Sequence, residues 1–469
     1  MGSFESEPSA FSELYVQDMG IYRWGSLLPE FGALSQARAQ DFPRNLVSLS
    51  ERMGAWSTPV EFRAWACLSH ELVHYLQDLT TGVGHWDHRV REEARPRLLG
   101  AAKFLCKSRL VDFPSDVGHS ELNDRLLMLV GKALPKERLD SLREKAAPLL
   151  ARADAVDKFR IESVLEGEAA ALVLAQVIRI KGATKAQWQI LNDNMGVWHP
   201  DYMPAEYGSL WDEVQAVMTG EGELDIDGPQ LDKFLLLFAQ ILGTIADISC
   251  AHPPPEMLEE RGEDRSEYEP GLRFLRLLGA ITQLSRESSI LLLEAVGRHD
   301  REQAERLMLE ASSYPYPPRD SVYEAWLPSF EGSDSRIDAL RAETCRIRLE
   351  NPSAWTEKSL FSIVEHKLPF TIIGPEGFTS IGQRWEHLEP RQGAELYVDL
   401  TRHSMEDAAL SLFFETGRFV CPLGLGRVCD SASDACREGL RRPTDFPASP
   451  GCKARQRLEN AGFDLGVAN

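Results

Sequence analysis

The five residues His70-Glu71-Leu72-Val73-His74 constrain this chain more than any other feature of it. Histidines four apart share one face of an α-helix, so both imidazoles can offer a nitrogen to a single Zn²⁺, with the glutamate one step round. The surrounding residues predict that helix. Thr58 supplies an N-cap, Pro59 suits the first helical position and Glu61 completes a capping box. The segment runs to about Thr80 and stops near Gly82 and Gly84, which supply the conformations a helix C-terminus needs. From such a helix Glu71 can take a proton from a water that the metal has made acidic near neutral pH.

A catalytic zinc needs a third protein ligand and an open fourth position. The longer pattern HExxHxxGxxH would supply a third histidine, but Gln77 and Thr80 stand at those positions. His85 and His88, just after the glycines, are one alternative. The preferred source is a second helix over 155–180, where Glu162, Glu166 and Glu168 are set among Val164, Leu165, Gly167 and Ala169 to Ala171. Small residues there allow the close approach that a shared metal site requires. Glu166 is the expected ligand. Glu162, one turn earlier, would support it or exchange roles with it, and Asp78 or Gln77 would hold an imidazole N–H. Glu168 reads as a solvated surface charge. Peptide hydrolysis also wants an oxyanion donor downstream, and His199, Tyr202 and Tyr207 stand in that region, with Tyr207 and His199 favoured.

Taken together, HELVHYLQ and LEGEA resemble the gluzincin class of zinc metallopeptidases, and are most similar to little-characterised bacterial HExxH proteins whose third ligand sits in an EG(D/E)A helix. The resemblance implies a mainly α, zincin-like core with a small sheet. It implies one catalytic Zn²⁺ held by His70, His74 and Glu166, with Glu71 as general base and acid. Those enzymes carry an acidic residue four positions after the ligating glutamate; here that position is Ala170, so Asp78 or Glu162 would take its part.

The rest of the 469 residues is organised around helices. Three-and-four apolar spacing marks 122–130, 159–180, 231–248 and 272–296, whereas strand-like pieces are confined to 14–24, 370–373 and 396–400. Prolines 253–255 and 315, 317 and 318 break the helical runs, and a boundary near 315 divides a catalytic domain, 1–315, from a C-terminal α+β region, 316–469. That region would select the substrate or regulate access. It ends in a tail from about 421 that carries Cys421, Cys429, Cys436 and Cys452, separated by seven, six and fifteen residues. A second, structural ion could order this tail, with disulfides or unlinked thiols as the alternatives. Cys67, Cys106, Cys250 and Cys345 sit in apolar or helical contexts and read as reduced core thiols.

Charge narrows the partners. With 51 basic and 72 acidic residues the net charge is −21, which repels nucleic acid and anionic membrane. The longest apolar run, 234–248, is 15 residues and carries Asp247, too short and too polar for a membrane span. The first residues have no basic, apolar leader, so the cytoplasm is the expected compartment. The function expected is therefore a zinc-dependent intracellular endopeptidase acting on a protein or peptide substrate, with a regulatory protein as a further partner. The alternatives are a catalytically silent metal-bound interaction protein, against which the intact Glu71 argues, and a zinc hydrolase of non-peptide substrates.

Overall fold

In the computed structural model the described residues are 59–107, 161–181, 229–312, 314–333, 335–355 and 452–465, the short strands at 20–21, 30–31, 370–374 and 377–381, and positions 405, 406, 409, 419, 421 and 440. They are mainly helical. The expected metal helix is α1 (Pro59–Thr80), followed after one residue by α2 (Gly82–Lys107). Then come α3 (Ile161–Lys181), α4 (Pro229–Ser249), α5 (Pro255–Arg261) and a 3₁₀ turn over Arg265–Tyr268. The remainder are α6 (Pro270–Gln283), α7 (Arg286–Gly297), α8 (Arg301–Ala311), α9 (Arg319–Phe330), α10 (Arg336–Glu350) and α11 (Lys453–Asn460). Four short strands, β1 (Gly20–Ile21), β2 (Glu30–Phe31), β3 (Phe370–Gly374) and β4 (Gly377–Ile381), pair in that order, with β2 parallel to β3 and the other pairs antiparallel. Thr58, Tyr202 and the expected elements at 122–130 and 396–400 lie outside the described residues.

Helix α3 is the centre of the packing. Val164, Leu165, Ala169 to Ala175 and Ile178 are all buried, so apolar side chains surround the helix instead of marking one stripe, as expected of an element covered on every side. It packs against α1 on one side and α4 on the other. Gly243 of α4 faces Leu172 of α3, where an added methyl would sit 3.7 Å from the leucine. The apolar period over 272–296, continuous in sequence, is cut in two at Leu284 and Ser285. The Ser285 hydroxyl accepts from the Ser288 N–H and so starts α7.

Gly82 and Gly84 act differently from the sequence expectation. Neither has a positive φ among the described glycines; they are needed for close approach. A Cβ on Gly82 would lie 2.3 Å from the backbone of His252, and one on Gly84 would lie 1.9 Å from the Asp78 carbonyl oxygen. The chain therefore does not leave α1 in a loop. The Thr81 N–H bonds the Gln77 carbonyl and the His85 N–H bonds the Thr81 carbonyl, so α2 begins almost as a continuation of α1.

Proline breaks occur where the composition puts them, between α4 and α5 and between α8 and α9. Contacts nevertheless cross residue 315. Helices α9 and α10 pack on each other, α10 on α1 and α9 on α2. The Trp326 indole N–H donates to the His252 carbonyl at 2.7 Å, and Arg341 donates to Asp78. In the tail, Cys421, Cys452, Phe419, Leu440, Leu458, Phe463 and Leu465 gather around Ala102 of α2 in an apolar cluster, so this segment buries its apolar side chains in a core shared with α2. Cys429 and Cys436 lie outside the described residues. Cys250 and Cys345 are fully buried, and the side chains of Cys67 and Cys106 are outside the described set.

Candidate metal centre

Helices α1 and α3 bring two imidazoles and one carboxylate to a point. His70 Nε2 lies 2.8 Å from Glu166 Oε2, His74 Nε2 lies 3.1 Å from the same oxygen, and the two imidazole nitrogens are 3.0 Å apart. The rings stand nearly perpendicular, with centroids 4.5 Å apart, as four-residue spacing on one helix face dictates. Among the described residues this is the sole group of three potential ligands that converges in this way. In a tetrahedral zinc site with bonds of 2.0–2.1 Å the ligand atoms stand about 3.3 Å apart, so this triangle needs to open by only a few tenths of an ångström. Two nitrogens and one carboxylate oxygen are also a donor set that zinc accepts. The residues present fit the ion.

The neighbouring side chains orient these three groups. Gln77 donates from Nε2 to the Leu165 carbonyl at 2.8 Å and to Glu168 Oε2 at 2.9 Å. Both partners are acceptors, so the amide is fixed and its Oε1 must face His74 Nδ1, 2.8 Å away. An oxygen there can only accept, so Nδ1 carries hydrogen and Nε2 is the nitrogen directed at His70 and Glu166. Burial alone would disfavour a charged His74. The Glu166 carboxylate and its hydrogen bond outweigh that and hold the imidazole up at about 9. Glu166 is held well below the usual carboxylate range, because the two histidines outweigh the opposing effect of burial. A divalent cation placed among the three groups would take the place of the proton that His74 directs at Glu166.

Glu71 stands beside them, 5% exposed, and its Oε2 has no hydrogen-bond partner among the described residues. Burial pushes its carboxyl upward, His70 and His74 pull it down, and Glu166 adds to the rise; the result is a raised value. Access to the cluster is one-sided. The His74 side chain is 8% exposed, whereas His70 and Glu166 are 17% and 25% exposed and form the open edge.

Several expected partners are elsewhere. Asp78 is fully buried and pairs with Arg341 of α10 at 2.9 Å, and among the described residues it is Gln77 that bonds His74. The longer Gln77, one residue earlier, reaches His74 because acceptors on α3 turn it that way. His85 and His88 belong to α2 and face α9 and α10, since α2 starts at once and rotates them away from α3. His85 contacts Cys345 and Arg341, and His88 bonds Asp338 at 2.7 Å. Glu162 lies on α3 one turn before Glu166, but its side chain is outside the described residues, as are Tyr207 and His199 altogether.

The expectation for Glu168 is corrected by its position. It is 4% exposed, bonded to Gln77, and faces a buried charge cluster that sequence reasoning missed. In that cluster Asp247 of α4 is contacted by Arg301 of α8, Arg319 of α9 and Arg348 of α10, all nearly or fully buried. The one signal in the sequence is Asp247 itself, an acid inside the longest apolar run, which must find cations if that run is buried. Comparison with known proteins finds no matching family model, no similar curated protein and no similar solved structure.

Proposed function

We propose that the chain is a zinc-dependent endopeptidase with a zincin-like core, hydrolysing a protein or peptide substrate inside the cell. The observation that carries this reading is the meeting of His70, His74 and Glu166 from two helices, with the buried carboxyl of Glu71 next to them. When bound, zinc would polarise the scissile carbonyl and acidify the attacking water. His70, His74 and Glu166 would hold it, with Gln77 keeping His74 in the required tautomer. Glu71 removes the proton from the water and returns it to the leaving amine. It is placed for this by its burial beside the two histidines, with one carboxyl oxygen that has no hydrogen-bond partner among the described residues. The substrate enters at the His70 and Glu166 edge, because His74 and Glu71 are closed off by packing. The buried thiols Cys250 and Cys345 agree with a reducing compartment. Among the described residues no helix is long and apolar enough to cross a membrane.

The test is cleavage of a mixed peptide library by the zinc-loaded chain, read by mass spectrometry, alongside Glu71→Gln. We expect discrete cleavage by the wild type and a loss of about 10²–10⁴-fold in the variant, with its metal content unchanged. Equal cleavage by the two proteins, or no cleavage of any peptide by a chain that holds zinc, would remove the peptidase assignment.

A further inference from the structure

Glu168 lies two residues past the carboxylate of the metal cluster, yet it faces the interior and not the cluster. Its Oε2 accepts from Gln77 Nε2, and the Leu165 carbonyl takes the other direction from the same nitrogen. Gln77 is 3% exposed, so water has little chance to substitute for either acceptor. Together they leave Gln77 a single orientation, with its oxygen on the Nδ1–H of His74. Arg301 of α8 and Arg348 of α10 face Glu168 as cations and Asp247 of α4 as an anion. Arg348 also donates to the Thr80 hydroxyl at 3.0 Å, three residues past Gln77 at the end of α1. One carboxylate thus bonds Gln77 of α1 and lies in the field of a buried charge cluster drawn from three other helices.

We propose that Glu168 is a positioning residue for the metal centre: through Gln77 it fixes the ring and tautomer of His74. The inference rests on the reading that His70, His74 and Glu166 bind a metal. A carboxylate whose only role was to neutralise buried arginines would have no need of the Gln77 amide, and its loss would leave metal binding by the folded protein untouched.

The test is cobalt(II) and zinc binding to the full-length chain, by chelator competition and by the visible absorption of the cobalt form, for wild type, Glu168→Leu, Gln77→Met and Glu168→Gln. We expect Glu168→Leu and Gln77→Met to bind each metal about 10–100-fold more weakly and to alter the cobalt spectrum. Glu168→Gln keeps an oxygen that can accept from Gln77, and we expect it to stay within about threefold of wild type with the wild-type spectrum. Should Glu168→Leu fail to fold, Gln77→Met removes the middle link alone and carries the same expectation. Metal affinity and spectrum unchanged in Gln77→Met, with wild type binding normally, overturns the positioning role and leaves the metal site standing. Glu168→Gln as weak as Glu168→Leu overturns the hydrogen-bond route. A wild type that binds neither metal overturns the site and this inference together.

Discussion

Replacing Arg341 by methionine isolates the contact that ties α10 to α1, the helix that bears His70 and His74. Arg341 and Asp78 are both completely buried; Nη2 of Arg341 donates to the Asp78 carboxylate at 2.9 Å, and its Nη1 donates to the Asp78 backbone carbonyl. Methionine keeps much of the aliphatic stem and removes every donor. Taking one partner from a buried pair costs about 3–5 kcal/mol, because the other charge stays in a medium that does not solvate it. The lost bond to the backbone oxygen adds about 1 kcal/mol. The sum, about 4–6 kcal/mol, is comparable with the whole stability of many domains. Asp78→Leu with Arg341→Met removes both charges and should cost less than Arg341→Met alone, within about 2 kcal/mol of wild type. The assay is urea unfolding at pH 7.5 followed by circular dichroism and tryptophan fluorescence. A double variant less stable than Arg341→Met, or a single variant within about 1 kcal/mol of wild type, would refute the assignment of this pair as the tie.

Other consequences follow from single positions. Gly84→Ala drives a methyl into the Asp78 carbonyl, whereas the methyl of Gly100→Ala meets nothing within 4 Å; we expect the first to lower the melting temperature sharply and the second to raise stability by about 0.5–1 kcal/mol. His252 is held down at about 3, chiefly by burial and then by Arg265 and Arg273 against a hydrogen bond to the Pro253 carbonyl. The folded chain therefore keeps it neutral while the unfolded chain protonates it near 6.5, so stability is lost as the pH falls from about 6.5 toward 3. Between pH 7.5 and 5, wild type should lose about 2 kcal/mol more than His252→Asn, measured by unfolding midpoints; equal slopes would contradict the burial of this ring. A chain ending at residue 315 lacks Arg319, Trp326, Arg341 and Arg348, which bond residues before that point, and we expect it to be insoluble. A soluble, cooperatively melting fragment would support a domain boundary there.

What could be read from the sequence is local, and what could not is long-range. The helix bearing His70 and His74 follows from its proline and its spacing, and a carboxylate in a small-residue helix pointed to Glu166, 92 residues from His74. Gln77 and Asp78 could not be told apart, since both are within one turn of His74, and the choice is made by Leu165 and Glu168 on one side and Arg341 on the other. Glu168 reads as solvated until the arginines that face it are known. Arg301, Arg319 and Arg348 look like ordinary surface charges on polar helices, and only the fold reveals that a single buried aspartate gathers them. The prolines near 315 could not announce these contacts, because proline marks where a helix ends and carries no information about what the next helix packs against.

The most direct test of the metal site is metal content per chain by plasma mass spectrometry, for wild type, His74→Ala and Glu166→Ala after reconstitution with zinc. We expect a zinc in wild type that is lost in both variants, and any second zinc that persists in both belongs to the cysteines of the tail. A wild type without zinc, or variants that retain all of it, would contradict a metal centre at His70, His74 and Glu166.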